Sequence, residues 1–133
     1  MHIEHIAIWT QQLEALKSFY ETCFLAQSSP KYTNPTTGFQ SYFLTFASGA
    51  RLELMQAPDV APAPTGARNT GYAHIALVVG SREQVDELTH RLETAGYRIA
   101  GQPRTTGDGY YESVILDPDG NRIEITAEAT PRS

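Results

Sequence analysis

The chain has 133 residues, a formal net charge of −5, 41% hydrophobic residues and a single cysteine. This length suits one domain with a substantial core, one cysteine excludes an internal disulfide, and an acidic chain without a Lys/Arg cluster argues against a nucleic-acid partner. Neither end shows an apolar stretch typical of a signal peptide or a membrane span, so we expect a cytoplasmic protein without a membrane partner.

The first half opens with a predicted strand and helix. Residues 3–9 alternate between apolar and other side chains, which places His5 on the face away from the isoleucines. Thr10 is the predicted N-cap of an amphipathic helix that ends near Phe24. Cys23 lies on the apolar stripe of this helix, so we expect a core residue rather than a nucleophile.

A hairpin closes the first half. Residues 27–37 contain two prolines and are predicted to form either a poor edge strand near residues 31–33 or a loop. Residues 38–55 then predict two strands around a turn. Glu53 stands between two leucines on the return strand, so its carboxylate is expected on the face opposite the apolar side chains.

The second half repeats this order after a Pro-rich linker, residues 57–70. A strand over 72–79 precedes a helix with Ser81 as N-cap and Gly96 as its stop. The helix stripe is predicted to consist of Val85, Leu88, Leu92 and Ala95. A short strand is expected to start at 97–99, followed by a loop over 101–108.

The closing hairpin spans residues 109–126. An Asp-Pro-Asp-Gly turn separates an apolar run from the alternating return strand, on which Glu124 stands between two isoleucines. The last residues, 128–133, are polar and are predicted to form a frayed tail.

The two halves are copies of one module. A shift of 71 positions lays residues 38–55 on 109–126 without a gap, and a shift of 69 lays His5 on His74. We therefore predict an α+β fold, a single domain over 1–133 with module 1 at 1–56 and module 2 at 71–127. Each module reads as βαβββ, and the two are expected to form a half-barrel or barrel around a central metal cavity.

Each module places one histidine and one glutamate on the sheet face away from its helix. Two imidazoles and two carboxylates in one cavity suit a divalent metal such as Zn, Ni, Co, Mn or Fe. The alternative is a pair of His–Glu hydrogen bonds in a metal-free pocket. Arg51 and Arg122 share the parity of the glutamates, so they could bind an anion or balance charge.

The sequence resembles the vicinal oxygen chelate (glyoxalase, bleomycin resistance and dioxygenase) superfamily over nearly all of residues 1–127. The segments that carry the resemblance are HIAIW, ARLEL, GYAHIALVV and LDPDGNRIEI. Their His, Glu, His, Glu order is similar to that of glyoxalase I. The resemblance implies one divalent metal bound by His5, Glu53, His74 and Glu124.

The resemblance also implies a chemistry. The metal would hold two vicinal oxygens of a small substrate, and Glu53 or Glu124 would act as the base of an isomerase or lyase reaction through an enediolate. The Arg and Asn that hold glutathione in glyoxalase I correspond to Trp9 and Ala57 here, so an aromatic substrate stacked on Trp9 is equally compatible.

Tyr110 and Tyr111 open the closing hairpin, and alternation predicts that one of them faces the cavity. Such a tyrosine could either pack in the core or contact the substrate.

Two rival functions remain open. An extradiol-type Fe(II) dioxygenase needs two His and one Glu, and the additional Glu53 argues against it. A metal-free module that binds a small molecule is the other. The two modules could pair within one chain or with those of a second chain. Residues 1–66 carry fewer charges than residues 67–133, and together with the family resemblance this leads us to expect a homodimer whose cavities draw ligands from both subunits.

Overall fold

The computed structural model describes residues 1–64 and 68–129. The chain divides into two compact units, Met1–Gly66 and Ala67–Ser133, each of which holds one of the two sequence repeats. Residues 65–67 of the predicted linker and 130–133 of the predicted tail lie outside the described part of the chain. No helix in the described part is both long and apolar enough to cross a membrane.

The first unit contains one helix and one sheet. Strand β1 leads into helix α1, and four further strands follow along the chain. Strands β1 and β5 pair in parallel, β4 pairs antiparallel with β5, and both β2 and β3 pair with β4. The bounds are β1 His5–Trp9, α1 Leu13–Phe24, β2 Gln27–Ser28, β3 Tyr32–Thr33, β4 Gln40–Thr45 and β5 Arg51–Gln56.

The second unit has the same order with one edge strand instead of two. Strands β6 and β9 pair in parallel, and β8 pairs antiparallel with both β9 and β7. The bounds are β6 His74–Gly80, α2 Arg82–Thr94, β7 Ile99–Thr105, β8 Tyr111–Leu116 and β9 Arg122–Ala127. The predicted βαβββ repeat is therefore confirmed, and the described strands form one sheet in each unit.

The helix of each unit covers one face of its sheet, with the predicted apolar residues in α1 and with most of them in α2. Cys23 is buried with the rest of the α1 stripe, as predicted. On the sheets, Leu52 and Leu54 of β5 and Ile123 and Ile125 of β9 are all 3% exposed or less. Their alternation with Glu53 and Glu124 leaves the glutamates on the other face, which is called the open face below.

Both hairpin turns form as predicted. In the second, the Asp117 side chain accepts hydrogen bonds from the backbone N–H groups of Asp119 and Asn121, each at 2.9 Å. Gly49 and Gly120 occupy equivalent turn positions with φ of 82° and 85°, a conformation that favours glycine. The turns fix the register and thus which side chains share a face.

The two helices begin differently. Ser81 forms the predicted cap of α2, with a reciprocal capping box to Gln84. Thr10, the predicted cap of α1, does not fill that position: the N-cap is Gln12, without a side-chain cap. The Gln56 side chain instead accepts a 3.0 Å hydrogen bond from the N–H of Leu13, so a tertiary contact takes over part of the role of the cap.

The edge strand predicted near residues 31–33 is confirmed as β3, and a second short strand, β2, precedes it. Two other expectations about the chain need correction. The predicted loop over 101–108 is largely strand β7, which has irregular pairing next to Gly101. On α2, Ala95 is exposed, and Thr89 is buried in the stripe because its hydroxyl lies 2.7 Å from the Ser113 hydroxyl.

Glu14 connects α1 to the sheet and gives a pH-dependent prediction. It lies 2.7 Å from the Lys31 ammonium and accepts a 2.8 Å hydrogen bond from the Tyr42 hydroxyl. The Lys31 contact, followed by the Tyr42 bond, lowers the pKa of Glu14 below its ordinary 4.5. A lowered folded-state pKa stabilises the protein above pH 4.5, and the stabilisation is lost as the pH falls through the folded-state value.

We therefore expect Glu14→Gln to lower the free energy of unfolding at pH 7, by at most about 1 kcal/mol because the pair is largely exposed. Urea titrations at pH 7 and pH 3 test this, and the difference between wild type and variant should shrink at pH 3. A difference that grows on acidification would contradict it.

Candidate metal and substrate site

The first unit brings one predicted histidine beside one predicted glutamate. The parallel pairing of β1 and β5 puts His5 in register with Arg51 and Ala7 in register with Glu53, so all four side chains share the open face. The His5 Nε2 atom lies 3.8 Å from Glu53 Oε1, and the two side chains are 40% and 15% exposed. At this separation the atoms are in ionic contact range rather than hydrogen-bonded.

Glu4, which the sequence analysis did not single out, supports His5 from the other side. Glu4 Oε1 lies 3.2 Å from His5 Nδ1, and Arg51 Nε donates to both Glu4 oxygens at 3.1 and 3.2 Å. The hydrogen bond from Arg51 is the main reason that the pKa of Glu4 lies below its ordinary value. A carboxylate on Nδ1 favours the tautomer whose Nε2 is free to bind a metal.

The second unit repeats the arrangement with a shorter contact. His74 pairs in register with Arg122 and Ala76 with Glu124 in the parallel β6–β9 ladder. The His74 Nε2 atom lies 3.2 Å from Glu124 Oε1, and the side chains are 41% and 24% exposed. Each unit thus offers one imidazole and one carboxylate from repeat-equivalent positions.

Glu112 is a second carboxylate beside Glu124 that the sequence analysis missed. In the antiparallel β8–β9 ladder Val114 is opposite Glu124, so Glu112, two residues away, lies on the same face. Its Oε2 atom is buried without a hydrogen-bond partner. Burial, followed by the hydrogen bond to Glu124, raises the pKa of Glu112 above its ordinary 4.5. Counting outward from the Asp-Pro-Asp-Gly turn would have placed it there.

Four of the five predicted pocket residues remain candidates. Trp9 is 53% exposed and meets the Phe39 ring edge-on at 6.1 Å. Arg51 lies over the Phe43 ring, with its guanidinium carbon 4.2 Å from the ring centroid. Arg122 is an exposed residue at the start of β9. Tyr110 is 51% exposed and belongs to the β7–β8 turn rather than to a strand.

Tyr111 is on the wrong face for the predicted pocket. Its hydroxyl donates to the Asp86 carboxylate of α2, and the Arg82 guanidinium lies 4.8 Å from its ring centroid. Alternation along β8 puts Glu112 on the open face and therefore Tyr111 on the helix face. A shallow cavity of about 310 Å³ beside Tyr111, lined also by Thr89 and His90, is accordingly on the helix side and separate from the His74–Glu124 pair.

The donor chemistry fits a divalent cation. Imidazole nitrogen and carboxylate oxygen are the ligand types of first-row transition metals, and the buried Glu112 Oε2 is a polar atom that lacks a partner. Among residues 1–64 and 68–129, no three His, Cys, Asp or Glu side chains are arranged to hold a metal as they stand. The structure thus brings the predicted ligands together in pairs, one pair per unit.

Comparisons with known proteins identify the family and the fold. A sequence model of the Glyoxalase/Bleomycin resistance protein/Dioxygenase superfamily matches residues 2–125. The uncharacterized Bacillus subtilis protein YqjT is 28% identical over 129 residues, which is 94% of this chain and 98% of the relative. Among solved structures, the trypanothione-dependent glyoxalase I of Leishmania major is 24% identical with a TM-score of 0.76, covering 96% of this chain and 87% of that one.

A second solved structure carries a metal. The fosfomycin resistance protein FosX of Listeria monocytogenes, complexed with Mn(II) and sulfate, is 22% identical with a TM-score of 0.69 and covers 96% of this chain and 92% of its own. At these identities the two structures establish the shared fold.

Proposed function

Because the chain belongs to the glyoxalase/bleomycin resistance protein/dioxygenase superfamily, we propose that it is a metal-dependent lyase or isomerase of glyoxalase I-like type. Its substrate would be a small molecule with two vicinal oxygens. The observation that carries the proposal is the His–Glu pair that recurs at equivalent positions of both units, at 3.8 and 3.2 Å. Chance pairing of polar residues would not respect the repeat.

The proposed ligands of one divalent cation are His5, Glu53, His74 and Glu124. Zn, Ni, Co, Mn and Fe all accept this mixture of imidazole and carboxylate. The two units would share the cation either within one chain or across a homodimer. The Mn(II) bound to FosX, which has the same fold, supports a divalent metal.

The chain's own residues have separate tasks in the proposed reaction. When bound, the cation would act as a Lewis acid toward two neighbouring substrate oxygens. Glu53 or Glu124 would remove the proton from the adjacent carbon, giving an enediolate, and return it to the neighbouring carbon. Trp9 offers an exposed aromatic face for the substrate, and Arg122 an exposed cation for an anionic group.

Two rivals predict different behaviour. An extradiol dioxygenase would use iron with two His and one Glu, but both units carry a carboxylate beside the histidine, one more than that chemistry needs. A metal-free binding module would keep each His–Glu pair as a direct contact, and the 3.2 Å distance between His74 and Glu124 favours this reading in the second unit.

Metal analysis of the purified protein, combined with activity assays, separates the three functions. We expect bound divalent metal, a lower melting temperature after chelation, and recovery when the metal is restored, since a ligand that binds only the folded state stabilises it. The metal-loaded protein should isomerise a 2-oxoaldehyde hemithioacetal or a related substrate, and it should be assayed with fosfomycin in parallel.

The outcomes are distinct. A protein without metal that is not stabilised by any of the five cations would refute the proposal and favour the binding module. Ring cleavage of a catechol after anaerobic Fe(II) loading would favour the dioxygenase.

A further inference from the structure

Glu112 is a carboxylate that the proposed four-ligand site does not use. Strand β8 holds it on the open face of the second sheet, on the strand that pairs with β9 and two residues from Val114, the cross-strand partner of Glu124. Its Oε2 atom is buried and lacks a hydrogen-bond partner. A buried oxygen of this kind lowers the stability of the fold unless a hydrogen-bond donor or a cation contacts it.

The surroundings offer little compensation for two acids. Arg104 of β7 is in register with Glu112 and its charge acts on that carboxyl group, but Arg104 is exposed and forms no ion pair within 4 Å with Glu112 among the described residues. His74 is already in contact with Glu124 at 3.2 Å. Two adjacent carboxylates and one imidazole are suitable ligands for a divalent cation, whose charge would balance that of the carboxylates.

The first unit has no acid at the position equivalent to Glu112, and its additional carboxylate, Glu4, contacts His5 Nδ1 instead. The repeat shift of 71 positions places Ser41 at the position of Glu112, and Ser41 is 4% exposed. The rest of the arrangement, one histidine and one glutamate, is common to both units. A carboxylate on this strand, beside the glutamate of the His–Glu pair, is therefore a specific feature of the second unit rather than of the repeat.

We infer that Glu112 is a further carboxylate donor to the divalent cation of the proposed site, and that it biases this site toward oxygen-preferring Mn²⁺ over Zn²⁺. The inference rests on the proposed function. Carboxylate oxygen suits Mn²⁺, whereas imidazole suits Zn²⁺ at least as well. Since no three donors in the described residues are arranged around one point, the Glu112 and Glu124 carboxylates have to rotate toward the cation when it binds.

Calorimetric titration of the chelator-treated full-length protein with Mn²⁺ and, separately, with Zn²⁺ tests the inference. We expect Glu112→Gln, which keeps the shape, and Glu112→Ser, which copies Ser41, to weaken Mn²⁺ binding by about tenfold or more, as typical for lost support of a metal site. Zn²⁺ binding should weaken less. Glu87→Gln, the same charge change on the exposed side of α2, should bind both metals like wild type.

Three results would overturn the inference. If both Glu112 variants bind Mn²⁺ within about twofold of wild type, Glu112 is not a ligand, and the proposed function is unaffected. An equal loss of affinity for Mn²⁺ and Zn²⁺ in the Glu112 variants would refute the proposed selectivity. No binding of either metal by the wild type would refute the proposed function and this inference together. Circular dichroism of each variant before titration confirms that it is folded, and Glu112→Gln, as the isosteric change, is the variant on which the result depends.

Discussion

Replacing Glu124 by Gln is expected to abolish most of the activity and to weaken metal binding by at least 10- to 100-fold. The carboxylate is the proposed metal ligand that already lies 3.2 Å from His74, and an amide is a weaker ligand that cannot take up a proton. Loss of a positioned base typically costs about 100-fold or more in rate. Metal content after dialysis and kcat/KM of the metal-saturated variant measure the two effects separately.

Glu128→Gln is the matched control for this experiment. Glu128 follows β9 directly and is exposed, so the variant carries the same charge change at the end of the same strand. It should retain metal and activity. If Glu124→Gln retained both as well, Glu124 would be neither ligand nor base. The second unit would then contribute no carboxylate to the proposed four-ligand site, and the proposed function would be contradicted.

Leu54→Ala and Ile125→Ala are each expected to lower the free energy of unfolding by about 2–5 kcal/mol. The two residues are repeat-equivalent, on β5 and β9, and both are 0% exposed. Each truncation leaves a cavity between a sheet and its helix. The surrounding side chains are close-packed and cannot move far enough to fill it. Chemical denaturation followed by circular dichroism gives the free energies.

Ile3→Ala removes a comparable amount of apolar side chain from a residue that is 65% exposed. Its effect should stay within about 0.5 kcal/mol, as is usual for surface substitutions. A loss below about 1 kcal/mol for either buried residue would mean that the sheet and helix of that unit are not packed as described.

The repeat explains why much of the fold was predictable. The hydrophobic pattern of a strand has a period of two, so a glutamate between two isoleucines or two leucines has to face away from the helix. That local rule placed Glu53 and Glu124 correctly relative to their own helices. The capping box at Ser81 and the glycine turns were equally predictable, because their chemistry involves residues only a few positions apart.

The errors share a different cause. The start of α1 was misplaced because Gln56, far along the chain, accepts a hydrogen bond at its N-terminus. Most of strand β7, from Gly101 onward, was predicted as a loop because its Gly and Pro weaken the strand signal, while pairing with β8 stabilises the strand nonetheless. Tyr111 was assigned to the pocket because alternation alone does not say which of two neighbouring tyrosines faces the helix.

The sequence by itself determined the repeated βαβββ order, the helix stripes, the turns and the face on which each predicted ligand lies, since all of these depend on local periodicity. Only the tertiary structure decided which donors meet within a unit: His5 with Glu53 and Glu4, and His74 with Glu124. It also revealed Glu112 beside Glu124. Such contacts depend on strand register across the sheet, and register is fixed by the packing of residues that are far apart in the chain.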